Sequence, residues 1–356
     1  MNIYEQQASN RRTTVLIMAA FAAFFLVIGL GFDYFYFNFG RDLPSIGGLA
    51  GTAYQETVAP GQYRGGGGNN VPFGTILALI VSAGLMLNSY FNGARMVLRS
   101  TMARRADPLN EREKQFINVV TEMATASGLP APAAYIVPDQ DLNAFATGTS
   151  PANSVVAVTE GLLASLNREE LQAVVAHEMG HVRNYDIRLM TVVAALMGAI
   201  ALLSDFAGRS SRYRTRSAYR GPSGGSGRRS GGGGAALLFL LWIVLVLLAP
   251  LISRILAMAI SRQREFLADA TGAELTRNPE GLISALEKIR AAVMPTNAVN
   301  NGVAHMCIAD PRGSLIEEKS GFAADLLATH PPMEKRILAL KAMAYRAGNP
   351  APVRGM

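Results

Sequence analysis

Cysteine, tryptophan and histidine are scarce in this sequence: 356 residues hold one Cys, one Trp and four His. A single cysteine, Cys307, excludes an intrachain disulfide framework and any cysteine-rich zinc cage, so a metal held by this chain depends on histidines and carboxylates. Cys307 itself reads as a small buried apolar residue. Charge is also thin, at 17% of residues against 50% hydrophobic. That balance is too apolar for an ordinary soluble protein, and membrane segments are the expected reason. Acidic residues are fewer than basic ones, 26 against 33, which leaves a net charge of +7. The excess is concentrated. Between Asp205 and Gly234 stand Arg209, Arg212, Arg214, Arg216, Arg220, Arg228 and Arg229, opposed only by Asp205, so seven minus one places six of the surplus charges in one loop. The remainder is close to neutral, which argues against a nucleic-acid partner and favours a loop beside anionic lipid headgroups.

Two of the four histidines fall four residues apart in Val174-Val175-Ala176-His177-Glu178-Met179-Gly180-His181-Val182. On an α-helix, positions i and i+4 share a face, so His177 and His181 can present two imidazoles to one metal ion. The apolar flanks suit a helix running through an interior. The bland alternative is a helix carrying two surface histidines, and a third ligand downstream decides between the two.

Along the chain, Thr13 to Leu30 is an apolar run after Arg11-Arg12, long enough to cross about 30 Å of hydrocarbon, and reads as a signal anchor. An aromatic stretch and then a glycine-rich one lead to a second span from about Val71 to Tyr90, followed by Arg95, Arg99, Arg104 and Arg105. The positive-inside rule then puts residue 95 onward in the cytoplasm. The expected layout is an N-terminal membrane region over 1–107, with helices at about 13–31 and 71–91. A catalytic domain over 108–356 follows, interrupted by hydrophobic segments at about 189–204 and 235–260 and by a flexible Arg/Gly/Ser-rich loop at 205–234.

Within that domain Asn110 to Ala126 has helical spacing, with Phe116, Val119, Val120 and Met123 apolar, and Ala134 to Val137 reads as a strand. Asn143 to Gly148 and Ser154 to Thr159 read as two strands joined by a Pro-Ala-Asn turn. Such a hairpin beside the histidine helix can offer its edge to an extended peptide through main-chain hydrogen bonds, or be purely structural. Asn167 and Glu170 form an Asn-x-x-Glu start signal for the histidine helix, which no proline or strong stop interrupts through Leu203. Asp186, five residues after His181, is expected off the ligand face, orienting local structure. His305 reads as structural.

The helical arms from His181 to about Asp205, and from about Ala235 to Glu265, would span roughly 36 and 45 Å. Folded back as an antiparallel hairpin, they return Glu265 to the level of the histidine pair, which nominates this carboxylate as third ligand.

Taken together, these blocks resemble the HtpX-type membrane zinc proteases, relatives of the CAAX prenyl endoproteases. The resemblance lies in Asn143-Ala144-Phe145-Ala146-Thr147-Gly148, His177 to His181, Glu265-Phe266-Leu267-Ala268-Asp269, and His330-Pro331-Pro332 with Arg336, and covers about residues 110–345 plus the four-segment layout. It implies that His177, His181 and Glu265 bind one zinc ion, that Glu178 is the general base, and that His330 lies near the substrate carbonyl. It further implies that Asp269 and Arg336 form a buried pair behind the ligands. Asn143, Ala144, Phe145 and Ala146 are the candidate substrate-binding edge.

The expected fold is α+β, mainly α: a multi-pass membrane protein with a gluzincin-like zinc metallopeptidase domain. The expected function is zinc-dependent endopeptidase action in a bacterial inner membrane, with the catalytic domain facing the cytoplasm. Its partners would be the lipid bilayer, polypeptide substrates such as misfolded or damaged membrane proteins, and other membrane quality-control proteases. A protease for lipidated C-terminal peptides and a non-catalytic zinc-binding scaffold are the alternatives. If both late segments crossed the membrane, the seven-arginine loop would lie outside, against the charge rule.

Overall fold

In the computed structural model, residues 3–36, 71–198, 262–292, 303–309 and 331–348 are described. The segment expected at 235–260, the arginine loop and His330 lie outside them. The described residues fall into two compact units, one of 3–17, 85–198 and everything from 262 onward, the other of 18–36 and 71–84.

Helices α1 (Ile3–Tyr36) and α2 (Phe73–Ser100) are the two described helices long and apolar enough to cross a membrane. α1 runs past both ends of the 13–31 expected, while α2 starts two residues after the expected 71 and runs past 91 to Ser100, because helix continues beyond the apolar stretch into polar ends. Val15, Leu16, Val27, Leu77, Ile80 and Phe91 are all exposed, an apolar-outward pattern that fits lipid as solvent. Within the second unit, Asp33 is fully buried and accepts from the Gly74 and Thr75 amides and the Thr75 hydroxyl, each at 2.7 Å. This carboxylate caps orphan donors at the start of α2. Gly29 permits the approach, since a Cβ there would meet Thr75 Cα at 2.6 Å.

The first unit is built on a four-stranded sheet in the order β1-β2-β4-β3, with β1 (Arg104–Arg105), β2 (Ala133–Val137), β3 (Ala144–Gly148) and β4 (Ser154–Thr159). β2 runs parallel to β4, and β3 antiparallel to β4 as its edge neighbour. Helix α3 (Glu111–Ser127) starts at an Asn110 cap and stops at Gly128, whose φ of 67° is the left-handed conformation glycine tolerates. After β4 come α4 (Glu160–Ser165) and α5 (Arg168–Arg183), and then α6 over residues 186–198. Helices α7 (Arg262–Thr276), α8 (Pro279–Ala291) and α9 (Met333–Gly348) complete it.

α5 lies at the centre, against β3, β4, α3, α7 and α8. Its Leu171, Val175 and Met179 join Phe116, Val120, Ile136, Val158, Leu286 and Ile337 in one core. Burying each such side chain is worth about 1.5–3 kcal/mol, so the helix is pinned by packing on every side. At its start the Asn167 side chain accepts from the Glu170 amide and Glu170 reaches back to the Asn167 amide, the capping box expected from the sequence. Glu170 is also bound by Ser284 at 2.6 Å and Lys288 at 2.7 Å, which ties α5 to α8.

One expectation is corrected. The helix does not run unbroken to Leu203: it ends at Arg183, and Asn184-Tyr185 form a turn with Tyr185 at φ 59° before α6 begins. Neither Gly nor Pro marks that break, so helical periodicity alone passes through it. The described part of the segment expected at 189–204 is packed inside the first unit, with residues 189–196 all buried and Val192 O accepting from Ser89.

Candidate active site

His177, Glu178 and His181 all sit on buried turns of α5, and Glu265 on the first turn of α7. The two helices can bring them together because glycines stand where they meet. A Cβ on Gly180 would lie 3.1 Å from Ala268 Cα, and one on Gly272 would lie 3.1 Å from the His177 amide nitrogen. With those positions bare, the backbones approach closely and Glu265 reaches the histidine pair.

His177 Nε2 lies 3.7 Å from Glu265 Oε2, and His181 Nε2 lies 3.6 Å from Glu265 Oε1. One ligand atom from each of the three residues lies within 4.8 Å of the others. A tetrahedral zinc with bonds of about 2.0–2.1 Å has ligand atoms about 3.4 Å apart, so each histidine–carboxylate distance is close to that spacing and the set as a whole would draw in on a bound ion. The far nitrogens are turned to carboxylates: His177 Nδ1 is 2.9 Å from Asp269 Oδ1, and His181 Nδ1 is 3.1 Å from Asp186 Oδ2. For His181 the contact is a hydrogen bond, and an Nδ1–H directed at a carboxylate leaves Nε2 with its lone pair toward the metal position; His177 Nδ1 meets Asp269 as a close charge contact without hydrogen-bond alignment. His177 Nε2 and Glu178 Oε2 are buried without a hydrogen-bond partner among the described residues. Unpaired buried polar atoms are costly, and a cation with its water would satisfy both, so the donor set fits a metal ion.

Behind the ligands, Arg336 is wholly buried and forked onto Asp269, with Nη2 at 2.7 Å and Nε at 2.9 Å. Its Nη1 donates to Ile308 O at 2.8 Å and lies 3.2 Å from Glu265 Oε2. Burial alone would raise the Asp269 pKa, but the Arg336 charge and hydrogen bonds, with His177 beside it, hold it below the usual carboxylate value. Glu178 goes the other way: burial, aided by the Glu265 charge, lifts it above the usual range despite His177, His181 and Arg336. For His181, burial lowers the pKa, yet the Asp186 hydrogen bond and the charges of Glu265, Asp186 and Glu178 outweigh it and bring the group to about 9. A cation at this position would therefore displace a proton.

The structure brings together His177, Glu178, His181, Glu265, Asp269 and Arg336. Asp186 departs from its expected place: the turn at Asn184-Tyr185 swings it back against His181. His305 Nε2 donates to Met190 O at 3.1 Å and Cys307 is buried, both within the packing as expected. Asn143, Ala144, Phe145 and Ala146 line the edge of the sheet nearest α5, but Phe145 is bridged antiparallel to Cys307 and Ile308 N donates to Ala144 O at 2.9 Å. Asn143 Nδ2 also donates to Ala309 O at 3.1 Å. A stretch some 160 positions downstream thus already pairs with that edge, which no local sequence signal announces. Sequence reasoning also missed Asn10 and Arg264, which surround Asp186, and the paired glycines. The Gly180 and Gly272 positions inside helical patterns were the signal available for the last of these.

Residues 110–344 match the family model described as Peptidase family M48. A protease HtpX homolog from Streptococcus uberis is 36% identical over 344 residues, covering 96% of this chain and 100% of that relative. Another from Streptococcus pyogenes is 35% identical over 342 residues, with 96% and 100% covered. The crystal structure of S. mikatae Ste24p is similar at 19% identity and a TM-score of 0.44, covering 74% of this chain and 57% of that one.

Proposed function

Because the chain belongs to peptidase family M48 and is a metalloprotease acting on polypeptides, we propose that it is a zinc endopeptidase whose metal is held by His177, His181 and Glu265. The observation that carries this reading is the convergence of those three donors within 4.8 Å of one another, with Glu178 Oε2 beside them and without a hydrogen-bond partner among the described residues.

When bound, zinc supplies Lewis acidity that brings the pKa of a water from about 15.7 to roughly 7, about 12 kcal/mol of activation. The protein's own residues do the rest. Glu178, whose Oε2 has no hydrogen-bond partner among the described residues, accepts the proton of the attacking water and later delivers it to the departing amine. Asp186 keeps the His181 imidazole in the tautomer that points Nε2 inward, and Asp269 lies against His177 Nδ1. Arg336 balances the charge of Asp269 and steadies Glu265 without reaching the substrate. His330, carried by the resemblance alone, would donate to the developing oxyanion. For Asn143, Ala144, Phe145 and Ala146 the reading is narrower: with Cys307 and Ile308 already paired to them, a peptide extends this edge only by lying beyond those residues or replacing them.

The finer layout is part of the proposal: several spans in a bacterial inner membrane, a membrane region over 1–107, a catalytic domain over 108–356 facing the cytoplasm, and misfolded or damaged membrane proteins as substrates. Support comes from the apolar α1 and α2 and from the relatives' description as HtpX homologs.

The test is metal analysis and casein cleavage on detergent-purified protein. Wild type carries one zinc and cleaves, while His181→Ala and Glu265→Ala lose both; zinc retained in either variant removes that residue from the ligand set. For orientation, the exposed Leu109 is replaced by Cys in a Cys307→Ser background. Protection from an impermeant maleimide in spheroplasts, with labelling after lysis, is expected; labelling of intact spheroplasts reverses the topology.

A further inference from the structure

On an unbroken helix, residue 186 would stand about 140° around the axis from His181. The turn at Asn184-Tyr185 cancels that offset and lays Asp186 Oδ2 3.1 Å from His181 Nδ1. The other oxygen, Oδ1, accepts from Asn10 Nδ2 at 2.6 Å and lies 3.4 Å from Arg264 Nε. Asn10 Nδ2 also donates to Asn184 O at 2.9 Å, so a single amide grips both the turn and the carboxylate it presents. The next residue of α1, Arg11, has its guanidinium 5.5 Å from the Tyr185 ring, and Arg188 lies 5.5 Å from the same ring. Tyr185 is the residue in the left-handed conformation, which non-glycine residues adopt at a cost. Cation–π contact from two arginines offsets part of that cost. Asn10, Asn184 and Asp186 are each at most 2% exposed.

We propose that Asn10 and Asp186 are positioning residues of the metal centre: the first helix, through Asn10, fixes the Asp186 carboxylate against His181 and so holds the His181 Nε2 on the metal. This rests on the reading of His181 as a ligand. A carboxylate behind a ligand histidine fixes ring orientation and tautomer and is worth about 10–100-fold in metal affinity. Asn10 extends that support 176 positions along the chain, which makes α1 part of the centre as well as an anchor.

The experiment uses the full chain in detergent. Zinc dissociation constants come from competition with a chromophoric chelator, and ligand geometry from the d–d absorption of the cobalt-loaded protein. Asp186→Asn is expected to weaken zinc binding about 10–100-fold, Asn10→Ala about three- to tenfold, and both to shift the cobalt band. The double variant is expected to bind no more weakly than Asp186→Asn alone, because Asn10 acts through Asp186. Thr14→Val, which removes a hydroxyl that donates to Asn10 O at 2.8 Å and leaves the Asn10 amide in place, should bind zinc as wild type does. Wild-type affinity in Asn10→Ala, or losses that multiply in the double variant, overturn the proposal. Should the alanine variant fail to fold, Asn10→Ser is read by the same two criteria. A wild-type chain that binds no zinc refutes the ligand reading instead.

Discussion

Replacing Arg336 by Met keeps the length and apolar stem of the side chain and removes every donor. Among the described residues four contacts go at once: the two bonds to Asp269 at 2.7 and 2.9 Å, the bond to Ile308 O at 2.8 Å and the approach to Glu265 at 3.2 Å. Among the described residues Asp269 then faces only His177, and Ile308 O is a buried carbonyl with that donor gone. Breaking a buried ion pair from one side costs about 3–5 kcal/mol, because the remaining charge stays uncompensated. Removing both charges is far cheaper, since the desolvation cost of the pair goes with them. Arg336→Met should therefore lose about 3–5 kcal/mol in urea unfolding followed by helical circular dichroism, and Arg336→Met with Asp269→Asn should recover about 1–3 kcal/mol of it. Arg336→Lys should recover little, because an ammonium cannot fork onto a carboxylate while reaching a carbonyl. A loss below about 1 kcal/mol, or single losses that simply add in the double variant, would refute the charge argument.

Other outcomes follow from the same geometry. Glu170→Ala removes a helix cap and a buried charge-assisted pair and should cost about 2 kcal/mol; thermal unfolding checks this, and a change within experimental error would mean that α5 is held by packing alone. Hydrogen bonds from Lys288, Ser284 and Asn167 outweigh burial and hold the Glu170 pKa below its usual value. Its contribution is therefore full above about pH 4.3, the unfolded carboxyl value, and fades as pH falls through the lower folded one; wild type should lose more stability than Glu170→Gln across that window. Gly272→Val pushes a side chain against the His177 backbone and should weaken zinc binding while helicity persists, and unchanged affinity would mean that the close approach does not set the position of Glu265.

Much of the site was legible in the sequence because its chemistry is local. An i, i+4 histidine pair and an Asn-x-x-Glu start are written within one helix, and the structure returns both on α5. Alternation likewise placed β4 over Ser154–Thr159 and β3 within a residue. Glu265 was reached by matching arm lengths, an argument about distance; residues 199–261, through which the arms pass, lie outside the described ones. What escaped was set by tertiary contact. The break at Tyr185 carries no helix-breaking residue and persists under contacts from Asn10, Arg11 and Arg188. For the same reason Asp186 was expected off the ligand face. The bridge from Cys307 and Ile308 to β3 is a long-range contact with no turn chemistry to signal it. The small sheet's parallel β2–β4 pairing was equally invisible, since β3 intervenes between them in sequence.

The most direct measurement is a paired one on wild type and Glu178→Gln: zinc content per chain and the rate of casein cleavage at saturating zinc. The account predicts one zinc in each and a rate lowered at least about 100-fold in the variant, since a lost general base costs about 10²–10⁴. Cleavage that survives the substitution, or zinc lost with it, would contradict the role given to Glu178 and with it the proposed chemistry.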